Sequence, residues 1–129
     1  MKNLKKYLGK LYLAIGWSAI IFILLSLPGS MIPKEQSFML PGFDKIVHIG
    51  LFGGFVLLWC FYYSSKRLSS KKQLRIFFYI FLIASLYGIG MEYVQKYLIP
   101  MRDFDVEDIL ADLMGAGLAY GICNISLVE

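Results

Sequence analysis

The sequence predicts an all-α membrane protein, with four transmembrane helices in one compact bundle and both termini cytoplasmic. Three observations point there. The chain is 58% hydrophobic with a mean hydropathy of +0.64 over 129 residues, and a soluble fold this small buries only about 60–70% of its unfolded surface. Lipid is therefore its natural solvent. Four apolar segments follow one another, each close to the ~20 residues that cross a bilayer core. Basic residues gather in alternate connections, which gives those segments an orientation.

The first segment covers about residues 11–27 and stops at Pro28-Gly29. It follows Lys2, Lys5, Lys6 and Lys10, as in a signal peptide. Its apolar run exceeds the usual span of about 7–15 residues, however, and no A-x-A site follows. It reads as a retained helix. The second segment spans about residues 46–63, the third about 74–98 with Pro100 closing it, and the fourth about 109–128. Lipid offers no water to backbone groups, so each segment is expected to be helical. The length suits a single domain over residues 1–129.

Nine of the thirteen Lys and Arg residues lie at the N-terminus or in the second connection, which holds Lys66, Arg67, Lys71, Lys72 and Arg75. The other four, Lys34, Lys45, Lys96 and Arg102, fall on the opposite side. The positive-inside bias assigns both termini and the second connection to the cytoplasm. Every carboxylate except Glu129 then falls on the outer side. The net charge of +4 does not imply nucleic acid, because the basic residues flank apolar spans without forming a basic face or stacking platform.

The stretch MRDFDVEDILAD, residues 101–112, holds five of the nine carboxylates. Asp103, Asp105 and Glu107 read as a solvated loop and helix cap, with Asp105 and Asp108 spaced like a capping arrangement. Asp108 and Asp112 are four apart and share a helix face. Asp44 and His48 share a face of the second helix, where Asp44 also suits a cap, and Glu92 and Gln95 share a face of the third. The helical rise puts Glu92 and Asp112 roughly 8 Å inside the outer boundary, with His48 about one turn in. Three helices thus deliver polar groups to one depth. Intramembrane charges cost about 2.5–3.5 kcal/mol each on insertion scales and usually face a bundle interior or aqueous cavity. A shared site is the expectation. Arg102 is either an exposed loop charge or a planar fork folded back onto Glu92 or Asp108.

Small residues recur at interface spacing: Gly50 and Gly54, Gly117 and Gly121, Ala84 and Gly88, Ala111 and Gly115. Such pairs let membrane helices approach closely. Cys60 and Cys123 fall toward the cytoplasmic leaflet, where a reducing compartment disfavours a disulfide. They read as small packing residues.

These polar positions resemble a known family. The run from Asp44 to His48, D-K-I-V-H, is similar to the D-K-x-x-H element of the VanZ-like family. E-Y-V-Q at Glu92 to Gln95, then Arg102, then Asp108 in R-D-F-D-V-E-D-I, resemble its E-x-x-Q, Arg and Asp-containing elements. Gly115-Ala116-Gly117 resembles the Gly-rich helix that follows. The family usually has Asn about four residues after that Asp, where this chain has Asp112. The family is named for an accessory protein that lowers susceptibility to the glycopeptide teicoplanin. The resemblance implies a multi-pass protein of the bacterial plasma (inner) membrane, with its polar cluster near the extracytoplasmic face.

Three functions follow as expectations. The first is binding or modulation of a cell-envelope component: a lipid head group, a cell-wall precursor or a glycopeptide. Its pocket would comprise Asp44, Lys45, His48, Glu92, Gln95, Arg102, Asp108 and Asp112, with Lys45 and Arg102 meeting an anionic group. The second is an intramembrane enzyme on a lipid-linked or glycan substrate, using His48 or Glu92 as acid or base. The third is a structural or partner-binding bundle whose polar layer only fixes helix packing. Binding is favoured over catalysis. No cofactor and no metal are expected, since the sequence lacks HExxH, a paired-Cys motif, a Ser elbow and a phosphate loop. The expected partners are the lipid bilayer and a lipid-linked cell-wall precursor or anionic head group, with a homo-oligomer also allowed.

Overall fold

The computed structural model describes residues 2–31 and 42–128. Lys34, Glu35 and Glu129, which entered the topology argument, lie outside the described residues. Five α-helices follow in order: α1 (Lys2–Leu8), α2 (Leu11–Leu25), α3 (Phe43–Ser64), α4 (Ser70–Leu98) and α5 (Val106–Ser126). A 3-10 turn, Gly29–Met31, lies between α2 and α3. No strand occurs among the described residues.

The expected first span differs from a single straight helix. α3, α4 and α5 have 22, 29 and 21 residues and are each long and apolar enough to cross a membrane. α2 has 15 residues, roughly 22 Å at the helical rise. It reaches span length only together with α1, across a 59° bend. The described residues therefore hold three candidate spans, or four if α1 and α2 form one broken span. The break falls at Gly9, whose N–H donates to the Lys5 carbonyl at 2.9 Å. Gly9 also lies against α3: an added Cβ would sit 3.0 Å from the Ser65 side chain and 3.1 Å from the Phe61 carbonyl.

Apolar contact between helices gives little drive in lipid, so hydrogen bonds and close packing must hold α2 in place. Trp17 Nε1 donates to the Leu51 carbonyl at 2.8 Å, and Trp59 Nε1 donates to Ser18 Oγ at 3.0 Å. Tyr87 OH donates to the Ser18 carbonyl at 2.7 Å. These bonds tie α2 to α3 and α4, while Ile15, Phe22 and Ile23 stay exposed.

α3 packs chiefly on α5, and glycine makes the approach possible. A Cβ on Gly115 would lie 2.2 Å from the Ile49 carbonyl, and one on Gly53 would lie 3.3 Å from the Gly115 carbonyl. The expected pairs are only partly used. Gly54 turns toward Trp17 of α2, whereas a Cβ on Gly50 or Gly121 would meet nothing within 4 Å. Spacing identifies a small stripe but not the face that meets a neighbour. Here Ile49 and Gly53 carry the face toward α5, and Gly50 is turned away.

Lys5 Nζ donates to the Leu127 carbonyl at 3.4 Å. The start of the chain, the α3–α4 connection and the end of α5 therefore share one end of the bundle. This end holds Lys66, Arg67, Lys71 and Lys72. The opposite end gathers the starts of α3 and α5 and the end of α4, where Gly29 N–H donates to the Pro100 carbonyl at 3.0 Å. Between the ends lies a core that includes Ile21, Phe52, Val56 and Phe77, each fully buried. Cys60 and Cys123 are free and buried, on α3 and α5.

Candidate functional site

The polar groups meet at the end of the bundle away from the basic connection. α3 begins after Gly42, which adopts the left-handed conformation (φ 76°), a region open to glycine without strain. Its first two turns carry Asp44, Lys45 and His48. α5 begins at Asp105, whose Oδ1 accepts from the Glu107 N–H at 2.9 Å. One and two turns on, its inner face carries Asp108 and Asp112. The close Ile49–Gly115 crossing brings these two helix starts together. Gly88 of α4 leaves space for Asp112, since a Cβ there would lie 2.7 Å from Oδ2.

Lys45 is the electrostatic hub. Its Nζ lies 3.0 Å from Asp44 Oδ2, 2.7 Å from Asp105 Oδ2 and 2.5 Å from Asp108 Oδ1. The hydrogen bond from Lys45 holds the Asp105 carboxyl below its usual range, against the opposing effect of partial burial. Deeper in, His48 Nδ1 lies 2.7 Å from Asp112 Oδ1, and His48 Nε2 lies 3.6 Å from Asp108 Oδ2. Glu92, completely buried on α4, accepts the Asp105 N–H through Oε2 at 3.0 Å. Carboxylates from two helices thus surround one imidazole from a third.

Not every expected member joins this centre. Gln95 is buried one turn from Glu92, but its Nε2 donates to the Leu25 carbonyl at 2.9 Å and fastens α4 to α2. Arg102 folds back onto neither Glu92 nor Asp108; its Nη1 donates to the Leu27 carbonyl at 3.3 Å. The carbonyls after a helix end lack intrahelical partners, and those near the end of α2 attract both donors. The two cations assigned to an anionic group are therefore both engaged within the chain. Asp105 is the member that sequence reasoning left at the edge. Its spacing to Asp108 was visible, but the capping role absorbed it, whereas the side chain caps α5 and holds Lys45 together.

The centre also retains unmet capacity. Glu92 Oε1 and Asp112 Oδ2 are buried and meet no donor among the described residues; outside the centre the same holds of Gln95 Oε1, Ser26 Oγ and Asn124 Oδ1. One ligand atom each from His48, Glu92 and Asp108 lie within 4.8 Å of one another, as do those of Asp44, Asp105 and Asp108. No local motif announced these groups, because the His48 set comes from three different helices.

The fold and this centre define a class: a small helical bundle, apolar enough to cross a membrane, that encloses a carboxylate-rich polar centre at one end. The chain belongs to the VanZ/LLP1 family, whose model matches residues 4–127. It is similar to an uncharacterized protein of Schizosaccharomyces pombe, 33% identical over 102 residues, covering 77% of this chain and 57% of that relative. The chain thus spans a little over half the length of the curated relative it matches. No solved structure matches it.

Proposed function

We propose that this chain is an integral membrane protein that binds the polar head group of a membrane or envelope lipid in the centre around His48, Glu92 and Asp112. One observation carries the reading: two buried carboxyl oxygens of this centre, Glu92 Oε1 and Asp112 Oδ2, have no donor among the described residues. An unmet buried acceptor costs about 1–3 kcal/mol, and more when charged. Two such acceptors side by side, on α4 and α5, favour a ligand that supplies donors. The acceptors also define the ligand, which must bring ammonium, amide or hydroxyl donors. Lys45 and Arg102 are already engaged, so an anionic group alone fits less well. A lipid-linked cell-wall precursor and a glycopeptide both carry such donors, and a relative in fission yeast favours head groups found beyond bacterial walls. The positive-inside bias turns the end bearing Lys66 and Arg67 to the cytoplasm and the polar centre outward.

The test is lipid retention by the full-length chain in nanodiscs, read by native mass spectrometry. Phosphatidylethanolamine and a glycosylated lipid should be retained in preference to phosphatidic acid, and Glu92→Gln should remove the preference. Equal retention by wild type and Glu92→Gln would sink the reading.

One contact favours a second reading, an intramembrane enzyme. His48 Nδ1 is held 2.7 Å from a buried carboxylate, the arrangement that orients an imidazole as a general base. Turnover of a lipid-linked substrate that survives His48→Ala would refute it.

A further inference from the structure

We infer that His48, Glu92 and Asp108 form a divalent-cation site, with Asp112 as the outer partner that orients the imidazole. Nothing in the sequence spacing suggests it; four structural observations do.

The first is convergence. One ligand atom from each residue lies within 4.8 Å of the others, and the three arrive on α3, α4 and α5. Ligands held about 2.0–2.2 Å from one ion stand about 3.3–3.6 Å apart in tetrahedral geometry, so the set closes on an ion with a movement of up to about an ångström. The second is the imidazole. Asp112 Oδ1 lies 2.7 Å from Nδ1, so a ring that donates Nδ1–H to it leaves Nε2 as the nitrogen for an ion. Nε2 faces Asp108 Oδ2 at 3.6 Å, too long for a hydrogen bond but suited to two ligands of one ion. A carboxylate behind a ligating histidine is the usual outer partner at metal centres.

The third is Glu92. It is completely buried, its Oε2 is taken by the Asp105 N–H, and its Oε1 meets no donor. The free oxygen is a ligand in waiting. The fourth is charge. Glu92, Asp108 and Asp112 are three buried carboxyl groups, and the adjacent ammonium of Lys45 is bound to the other oxygen of Asp108, Oδ1. A cation at Oδ2 would complete Asp108 without displacing Lys45.

The donor set of one imidazole with carboxylates, and no thiolate, suits Mn2+ or Zn2+ better than all-oxygen Ca2+. Cys60 and Cys123 lie toward the opposite end of the bundle. The inference rests on reading this centre as a binding site, yet the two can fail separately.

The experiment uses the full chain in detergent, stripped with chelator and titrated with MnCl2, with free Mn2+ read by electron paramagnetic resonance. One ion per chain is expected, displaced by Zn2+. Glu92→Gln should weaken binding by tenfold or more, and Asp112→Asn by about 10–100-fold as an outer partner. X-ray absorption of the Zn2+-loaded wild type should report one imidazole nitrogen among oxygen ligands, which decides the matter even if a variant fails to fold. No stoichiometric Mn2+ binding, unchanged affinity in Glu92→Gln, or oxygen-only coordination at the Asp44–Asp105–Asp108 group would each overturn the proposal. Loss of the metal result with head-group retention intact would leave the proposed function standing.

Discussion

The same helices build two very different ends of this bundle. At one end α3, α4 and α5 converge on His48, Glu92, Asp108 and Asp112, all buried. At the other, α3 and α4 border an apolar cavity of about 490 Å³ lined by Phe55, Trp59, Tyr63, Ile76, Tyr79, Ile80 and Ile83. By the usual reasoning for soluble proteins, a well-formed apolar pocket is the default site. In lipid that logic weakens, because an apolar hollow beside the bilayer is filled by acyl chains at little cost. A buried polar group with no partner has no such remedy, and in the membrane each unmet backbone or side-chain group costs several kcal/mol. The informative end is therefore the one with too much polarity, not the one with too little protein.

The sharpest way to break this comparison is to remove His48. His48→Ala leaves Asp112 and Asp108 facing each other without the ring between them. Stranding buried charge in this way costs about 3–5 kcal/mol, visible as a large fall in the thermal unfolding midpoint in detergent. Gly115→Ala comes next: its Cβ would meet the Ile49 carbonyl at 2.2 Å, so α3 and α5 must separate, a strain of about 1–3 kcal/mol. The contrast is Gly50→Ala, whose Cβ meets nothing within 4 Å. It should be neutral or slightly stabilising, since alanine is favoured over glycine in helices by about 1 kcal/mol.

A smaller effect lies in pH. Asp105 is held below its ordinary range by Lys45, so its stabilising contribution is fully present above the unfolded aspartate value of about 3.9. It is lost as pH falls through the lower folded value. Unfolding midpoints should therefore decline on acidification below about pH 4, and Lys45→Met should flatten that decline. The smallest effect belongs to the apolar end. Ile83 is 56% exposed on the cavity wall, and Ile83→Ala should change stability by less than about 0.5 kcal/mol.

Much of the fold was legible because lipid imposes simple rules. Span length and backbone satisfaction located three helices within a few residues, and i, i+4 spacing grouped Asp108 with Asp112 correctly. The break at Gly9 was not legible, since it depends on how α1 meets the end of α3. Depth also proved a better guide than identity: His48, Glu92 and Asp112 share a layer as expected. What each donor bonds depended on carbonyls with no sequence signature, which is why Gln95 and Arg102 went to Leu25 and Leu27. Asp112, where the resemblance leads one to expect an amide, is now the carboxylate that orients His48.

The central claim is that Glu92 is kept buried and unmet for a ligand and not for the fold. Glu92→Gln tests it most directly, with unfolding midpoint and head-group retention measured on the same sample in nanodiscs. Gln keeps the size of Glu92 and the oxygen that accepts the Asp105 N–H, and it removes a buried carboxyl. The account predicts an unfolding midpoint unchanged or raised, together with loss of selective retention. A lowered midpoint with retention intact would contradict it and make the polar layer a packing device.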